Sequence, residues 1–254
     1  MKISFHDYFR RMKTWTVLLT FIITGLLSTA QNAKLVTFAA SDQLLISADD
    51  YIADKNAQYI VLLHQAKSSR GEYRETAARF NKLGYNCLAV DLRSGNEGGG
   101  VSNETAMRAK NSEKNAEYMD AIQDIIAAIN YANAKSKKPV ILLGSSFSAS
   151  LALIVGKDDP KVQAVMAFSP GEYFENAMDV QKTISGFSKP LFAASAADEE
   201  RYLTEILSGV ISARKIVFSP SIGGKHGAKS LNKTNKNAND YWLNIINFLK
   251  DLKR

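Results

Sequence analysis

The segment Gly144-Ser145-Ser146-Phe147-Ser148 sets a serine between small residues two positions before it and two after it. The apolar run 140–143 precedes it and a helical stretch around 151–154 follows, so the serine falls where a strand turns into a helix. This is the pattern G-x-S-x-G of a nucleophile elbow, with Ser148 in place of the second glycine. A turn that sharp holds its central residue in a strained conformation, and bulk two residues to either side would clash. Gly144 and Ser148 meet that demand for Ser146, whereas Leu143 and Phe147 fail it for Ser145. Ser148 falls inside the helix rather than at its entry. Ser146 is therefore the candidate nucleophile, with Ser145 and Ser148 assigned to packing around it. The competing assignment is a serine-rich helix cap.

A serine hydroxyl needs a base to become a nucleophile. The histidines are His6, His64 and His226. His6 belongs to the N-terminal basic stretch, and His64 closes an apolar strand, where it is suited to shaping the adjoining loop. His226 lies in a glycine-rich loop, Ile222-Gly223-Gly224-Lys225-His226-Gly227, and is the candidate base. The acid partner is expected between the two, in the chain order Ser…Asp/Glu…His. Asp198 follows the apolar strand at Leu191–Ala194 and is the candidate, placed to hold the imidazole tautomer and stabilise the imidazolium. Glu199 and Glu200 are assigned to the first turn of the next helix, which favours negative charge. Asp179 has no strand before it and is the weaker choice.

These residues need a scaffold, and the apolar pattern supplies one. Residues 35–39 and 44–48 suggest an opening hairpin. Short apolar strands are expected at Tyr59–Leu63, 87–90, 140–143, Val162–Phe168, Leu191–Ala194 and Lys215–Phe218. Helices are expected over about 71–83, over about 112–134, after the elbow, and at the end of the chain. Fully apolar strands alternating with helices imply a parallel sheet covered on both faces, with chemistry at the carboxyl ends of its strands.

With the three candidates in chain order at strand ends, residues 35–252 resemble the α/β-hydrolase family, its dienelactone hydrolase-like and small serine esterase branches in particular. Two further stretches carry the resemblance. Leu62-Leu63-His64-Gln65 is similar to the family's His-Gly turn, with Gln65 where glycine is usual. Asp91-Leu92-Arg93-Ser94 is similar to its Asp-x-Arg-Gly stretch, with Ser94 for glycine. Dienelactone hydrolases use cysteine where this chain has Ser146, so their substrate is not carried over. The resemblance implies a three-layer α/β/α sandwich with a mostly parallel sheet of about eight strands. It also implies an oxyanion hole made by the amide of Phe147 and one in the turn after the first central strand, Ala66, with Gln65 second. The implied activity is hydrolysis of a small carboxylic ester, with no cofactor. A peptidase or amidase of the same fold, and a non-catalytic binding protein that kept the fold, are the alternatives.

The remaining features bound these readings. The 254 residues carry a formal charge of +7, with no basic stripe interleaved with aromatics of the kind that reads nucleic acid. Lys2, Arg10, Arg11 and Lys13 precede an apolar run at 15–27, and Ser28-Thr29-Ala30 has the small residues of a cleavage site. Residues 1–30 are thus expected to be a signal peptide, with Met12 as an alternative start. Residues 31–254 are expected to form a single exported domain without stable membrane insertion. Cys87, the single cysteine, lies in an apolar strand and is assigned to the core. No grouping has metal-ligand spacing. Asn96-Glu97-Gly98-Gly99-Gly100 is assigned to a flexible loop rather than a phosphate cradle. Asn103-Glu104-Thr105 has the pattern of a glycosylation sequon.

Overall fold

The computed structural model describes residues 33–253, so the expected signal segment lies outside the described residues. Ten strands run in chain order: β1 (Lys34–Ala39), β2 (Leu45–Tyr51), β3 (Tyr59–Leu63), β4 (Asn86–Val90), β5 (Glu97–Gly98), β6 (Val101–Ser102), β7 (Val140–Ser145), β8 (Val162–Phe168), β9 (Leu191–Ala194) and β10 (Lys215–Phe218). The helices are α1 (Arg74–Lys82), α2 (Glu104–Asn111), α3 (Ile122–Ser136), α4 (Phe147–Asp158), α5 (Val180–Ile184), α6 (Glu200–Ile206) and α7 (Ala238–Leu252). Eight strands form one sheet in the order β1-β2-β4-β3-β7-β8-β9-β10, antiparallel through β1, β2 and β4 and parallel from β4 onward. The α/β/α sandwich with a mostly parallel eight-stranded sheet is the architecture found.

The continuous apolar strands explain the layering. Every residue of β3 is buried, and side chains alternate between faces. Val61 and Leu63 join a core with α3, α4, α5 and α6, while Ile60 and Leu62 join a second core with α1 and α7. Each fully buried Val, Leu or Ile contributes about 1.5–3 kcal/mol relative to exposure. Cys87 sits in the second core.

Two local differences from the sequence reading have clear causes. The long helix expected from about 112 begins instead at Ile122, behind a 3-10 turn at Tyr118–Ala121, and a separate α2 precedes it. Asn103 is the reason for α2: its side chain accepts the amide of Ala106 at 2.8 Å, an N-cap hidden inside the sequon pattern. The glycine-rich stretch is ordered as the β5–β6 hairpin, whose two-residue turn places Gly99 and Gly100 at φ 56° and 69°. Positive φ at both turn positions is what a right-twisted hairpin requires, and glycine adopts it without strain.

The sheet also aligns the strand ends. Ser145, Phe168, Ala194 and Phe218 lie in register across β7, β8, β9 and β10. The next residue of each strand donates its amide to that row: Ser146 to Phe168 (2.8 Å), Ser169 to Ala194 (2.7 Å) and Ser195 to Phe218 (3.2 Å). A line of serines therefore crosses the carboxyl edge.

Candidate active site

Ser146 lies between β7 and α4 with φ 59° and ψ −126°, a conformation costly for any residue with a side chain. A Cβ on Gly144 would clash with the carbonyl of Ser148 and lie 2.6 Å from the Ala149 Cα, so glycine is required there. Ser148 replaces the usual second glycine for a positive reason. Its buried hydroxyl accepts the Ser145 amide at 2.9 Å and reaches the Leu63 carbonyl at 2.8 Å, tying β7 to β3 beneath the turn. Ser145 Oγ likewise accepts the Ala228 amide at 2.8 Å. Both serines thus carry hydrogen bonds that hold the site together, more than the packing expected of them.

The His226 loop returns over this turn. Its Nε2 lies 2.8 Å from Ser146 Oγ, so the two candidates are brought together across 80 residues of chain. The carboxylate beside the histidine is a different residue from the one expected. His226 Nδ1 meets Glu199 Oε1 at 2.5 Å, while Asp198 is exposed. The physical reason is the 3-10 turn Ala197–Glu199 that follows β9: it turns Asp198 outward and brings Glu199 under the loop. Helix α6 begins only at Glu200, so the first-turn role suggested for Glu199 falls to Glu200.

Glu199 is held on both oxygens. Oε2 accepts from Ser169 Oγ at 2.6 Å and from the Ala196 amide at 3.2 Å. Burial works against its charge, but the hydrogen bonds from His226 and Ser169 prevail and keep its carboxyl below the usual range. Ser169 also accepts the Gly227 amide at 2.9 Å, so one hydroxyl links the acid to the residue after the histidine. Sequence reasoning missed Ser169; the signal was its place directly after a parallel strand. Tyr173, whose hydroxyl donates to the Ser169 carbonyl at 2.9 Å, borders Ser146 and was also missed. It helps line a cavity of about 50 Å³ with Pro170, Glu199 and Tyr202.

The turn after β3 is fixed by His64. The Leu92 amide donates to its Nε2 at 2.9 Å, so the proton sits on Nδ1 and is donated to the Gln65 carbonyl at 2.8 Å. The Gln65 amide faces Glu72 Oε2 at 3.3 Å, a carboxyl pushed up by burial. The amide of Ala66 meets no acceptor among the described residues, and that of Phe147, the first residue of α4, has no partner within its helix. The Phe147 ring stacks on Tyr118 with centroids 4.4 Å apart, which steadies the start of α4. The Asp91–Arg93 stretch is structural: Asp91 pairs with Arg70 at 2.5 Å, and Arg93 with Asp124 at 2.7 Å and Asp42 at 2.9 Å.

Burial also lowers the His64 pKa from 6.5 to about 4. The unfolded chain takes up this proton below about pH 6.5, while the folded chain resists it until about 4. The stability His64 confers is therefore present above pH 6.5 and lost as the pH falls towards 4, by up to about 1.4 kcal/mol per pH unit. Denaturant titrations of wild type and His64→Gln are expected to show a stability gap that narrows over this range. Curves that stay parallel would show that His64 does not set this limb.

An eight-stranded, mostly parallel sheet with a serine elbow, a histidine and a carboxylate at its carboxyl edge defines an α/β-hydrolase. Residues 54–239 match the family described as serine aminopeptidase, S33, and the chain belongs to that family. No curated protein matches it. Among solved structures, an esterase of Pyrococcus furiosus is 17% identical with a TM-score of 0.66, covering 87% of this chain and 92% of its own. A dienelactone hydrolase from Anabaena variabilis is 13% identical with a TM-score of 0.63, covering 85% and 94%. The α/β hydrolase GrgF from Penicillium sp. is 12% identical with a TM-score of 0.66, covering 86% and 98%. At these identities the likeness is one of fold.

Proposed function

We propose that this hydrolase works through an acyl-enzyme on Ser146 and cleaves a small carboxylic ester. The observation that carries the reading is the unbroken chain from Ser146 Oγ to His226 Nε2 (2.8 Å) and from His226 Nδ1 to Glu199 (2.5 Å). His226 takes the Ser146 proton as Oγ attacks the carbonyl, then delivers it to the leaving alcohol. Water, deprotonated by the same histidine, releases the acid and restores Ser146. The unclaimed amides of Phe147 and Ala66 are the proposed donors to the developing oxyanion. The small cavity beside Tyr173 and Glu199 supports a compact substrate group. The family's description favours a second reading, amide or peptide hydrolysis at the same serine.

The test is turnover of a series of p-nitrophenyl esters and aminoacyl anilides, together with labelling by a fluorophosphonate. Ester hydrolysis and a label mapped to Ser146 are expected. Faster anilide cleavage would favour the peptidase, and a protein that is inert and unlabelled would be a binding protein on a hydrolase fold. We also propose that the chain is exported, on the strength of the apolar run at 15–27 and Ser28-Thr29-Ala30. Sequencing of the protein from its native host is expected to find Gln31 at the N-terminus. An intact N-terminus on membrane-bound protein would instead mean an uncleaved anchor.

A further inference from the structure

Away from the strand ends, α1, the start of α7 and the segment before it line a half-open cavity of about 500 Å³, bordered by Glu75, Arg79, Lys233, Lys236, Asn239 and Trp242. None of these residues belongs to the Ser146 site. Arg79 is the unusual member. Its guanidinium carbon lies over the indole of Trp242, 4.2 Å from the ring centroid, and Trp242 is itself buried. The indole is fixed in turn by its Nε1–H, which donates to the Leu231 carbonyl at 3.1 Å. A guanidinium held over an aromatic ring keeps its fork of N–H donors available to other acceptors. Among the described residues that fork has no carboxylate or carbonyl partner, unlike the buried Arg70 and Arg93 with their several acceptors. Partial burial disfavours the Arg79 charge, and no carboxylate offsets it.

The rest of the lining has the same sign. Lys233 is paired with Glu75 at 2.9 Å, but Lys236 has no carboxylate partner among the described residues. Three cations against one carboxylate leave two positive charges in excess. The first turn of α7 closes one side. Its flanking residue Asn237 accepts the Gly224 amide at 3.0 Å instead of capping the helix, and the Asn239 amide has no acceptor among the described residues. A helix start adds partial positive charge where the lysines already converge.

We infer that this cavity is a second ligand site, for the phosphate of a small polyhydroxylated phosphate monoester. A dianion matches the two excess charges, and a phosphate accepts the guanidinium fork through two oxygens while lysines bind it as point charges. The volume falls within the range of small-molecule sites and exceeds what a free phosphate fills. Asn239 and the exposed rim offer hydrogen bonds to hydroxyl groups, whereas the buried Trp242 offers no open face on which a base could stack.

The sequence supplies its own probe, because the tryptophans are Trp15 and Trp242. In full-length protein carrying Trp15→Phe, the emission of Trp242 reports the cavity without reference to turnover. Titration with glucose 6-phosphate and glycerol phosphate is expected to give a saturable change, with a midpoint below about 10 mM. Glucose, and sodium chloride at matched ionic strength, are expected to give none. Arg79→Gln is expected to raise the midpoint at least about tenfold, the value of a charge-assisted hydrogen-bonding partner. A Lys233→Gln/Lys236→Gln double variant should raise it as well, and serves if Arg79→Gln melts before assay. Absence of saturation, an equal response to chloride, or an unchanged midpoint in both variants would overturn the site. Inorganic phosphate binding as tightly as the esters would overturn the monoester assignment in favour of free phosphate.

Discussion

Replacing Ser146 with alanine is expected to abolish ester turnover and fluorophosphonate labelling together. Among the described residues the hydroxyl is the only hydrogen-bonding group that His226 Nε2 meets, at 2.8 Å, and its removal leaves the base with nothing to activate. In subtilisin, loss of the nucleophile costs about 10⁶ in kcat, with a residual of about 10³–10⁴ over water retained by oxyanion donors and binding. A residual of that kind is expected here, without any covalent label. The backbone gives a reason to expect the variant to fold. Ser146 occupies φ 59° and is followed by a buried helix, and alanine adds no bulk and removes no hydrogen bond of the main chain. Ser146→Ala should therefore retain the wild-type melting profile within a few degrees. A variant that keeps its rate and its label would end the Ser146 reading. Loss on Ser148→Ala instead would not by itself move the nucleophile, because that hydroxyl links β7 to β3 and its removal strands the buried Ser145 amide.

The contrast between Ser146 and Glu199 shows which parts of the site a sequence can display. The elbow was legible because its requirement is local: small residues at fixed offsets from Ser146, after an apolar strand. His226 was legible by elimination among few histidines. The sheet was legible because strands buried on both faces read as apolar runs, unbroken at Tyr59–Leu63 and interrupted only by Gln163 at Val162–Phe168. The carboxylate that meets His226 was not, because Asp198 and Glu199 differ by a single step around a 3-10 turn whose presence leaves no mark in the apolar pattern. Neither was Ser169, whose value lies in joining Glu199 to the Gly227 amide across 58 residues of chain. Helix α2 was hidden for the opposite reason: Asn103 had a local signal, but it read as a modification sequon rather than as a cap.

The sharpest consequence concerns that neighbouring pair. Glu199→Gln is expected to lower kcat by about 10⁴, while Asp198→Asn should leave it within about twofold. The figure is that of the carboxylate-to-carboxamide change in trypsin, and the same logic applies here through the second oxygen. Glu199 Oε2 accepts the Ala196 amide, a fixed donor that cannot turn away. A carboxamide keeps its oxygen on that side and presents its NH₂ to His226 Nδ1. Nδ1 must then be the acceptor, the proton moves to Nε2, and the nitrogen facing Ser146 no longer takes a proton from it. Asp198 is exposed and meets neither the histidine nor the serine, so its charge acts only through solvent. Stability supplies an independent check. The Glu199 carboxyl is held below its ordinary range, so its contribution is present above the unfolded value of about 4.3 and is lost as the pH falls through the lower folded value. Glu199→Gln should thus be less stable than wild type at pH 7, with the gap closing below about pH 4. Equal kinetic losses in the two variants, or a silent Glu199→Gln, would return the acid to Asp198 and require the turn at Ala197–Glu199 to rearrange before catalysis.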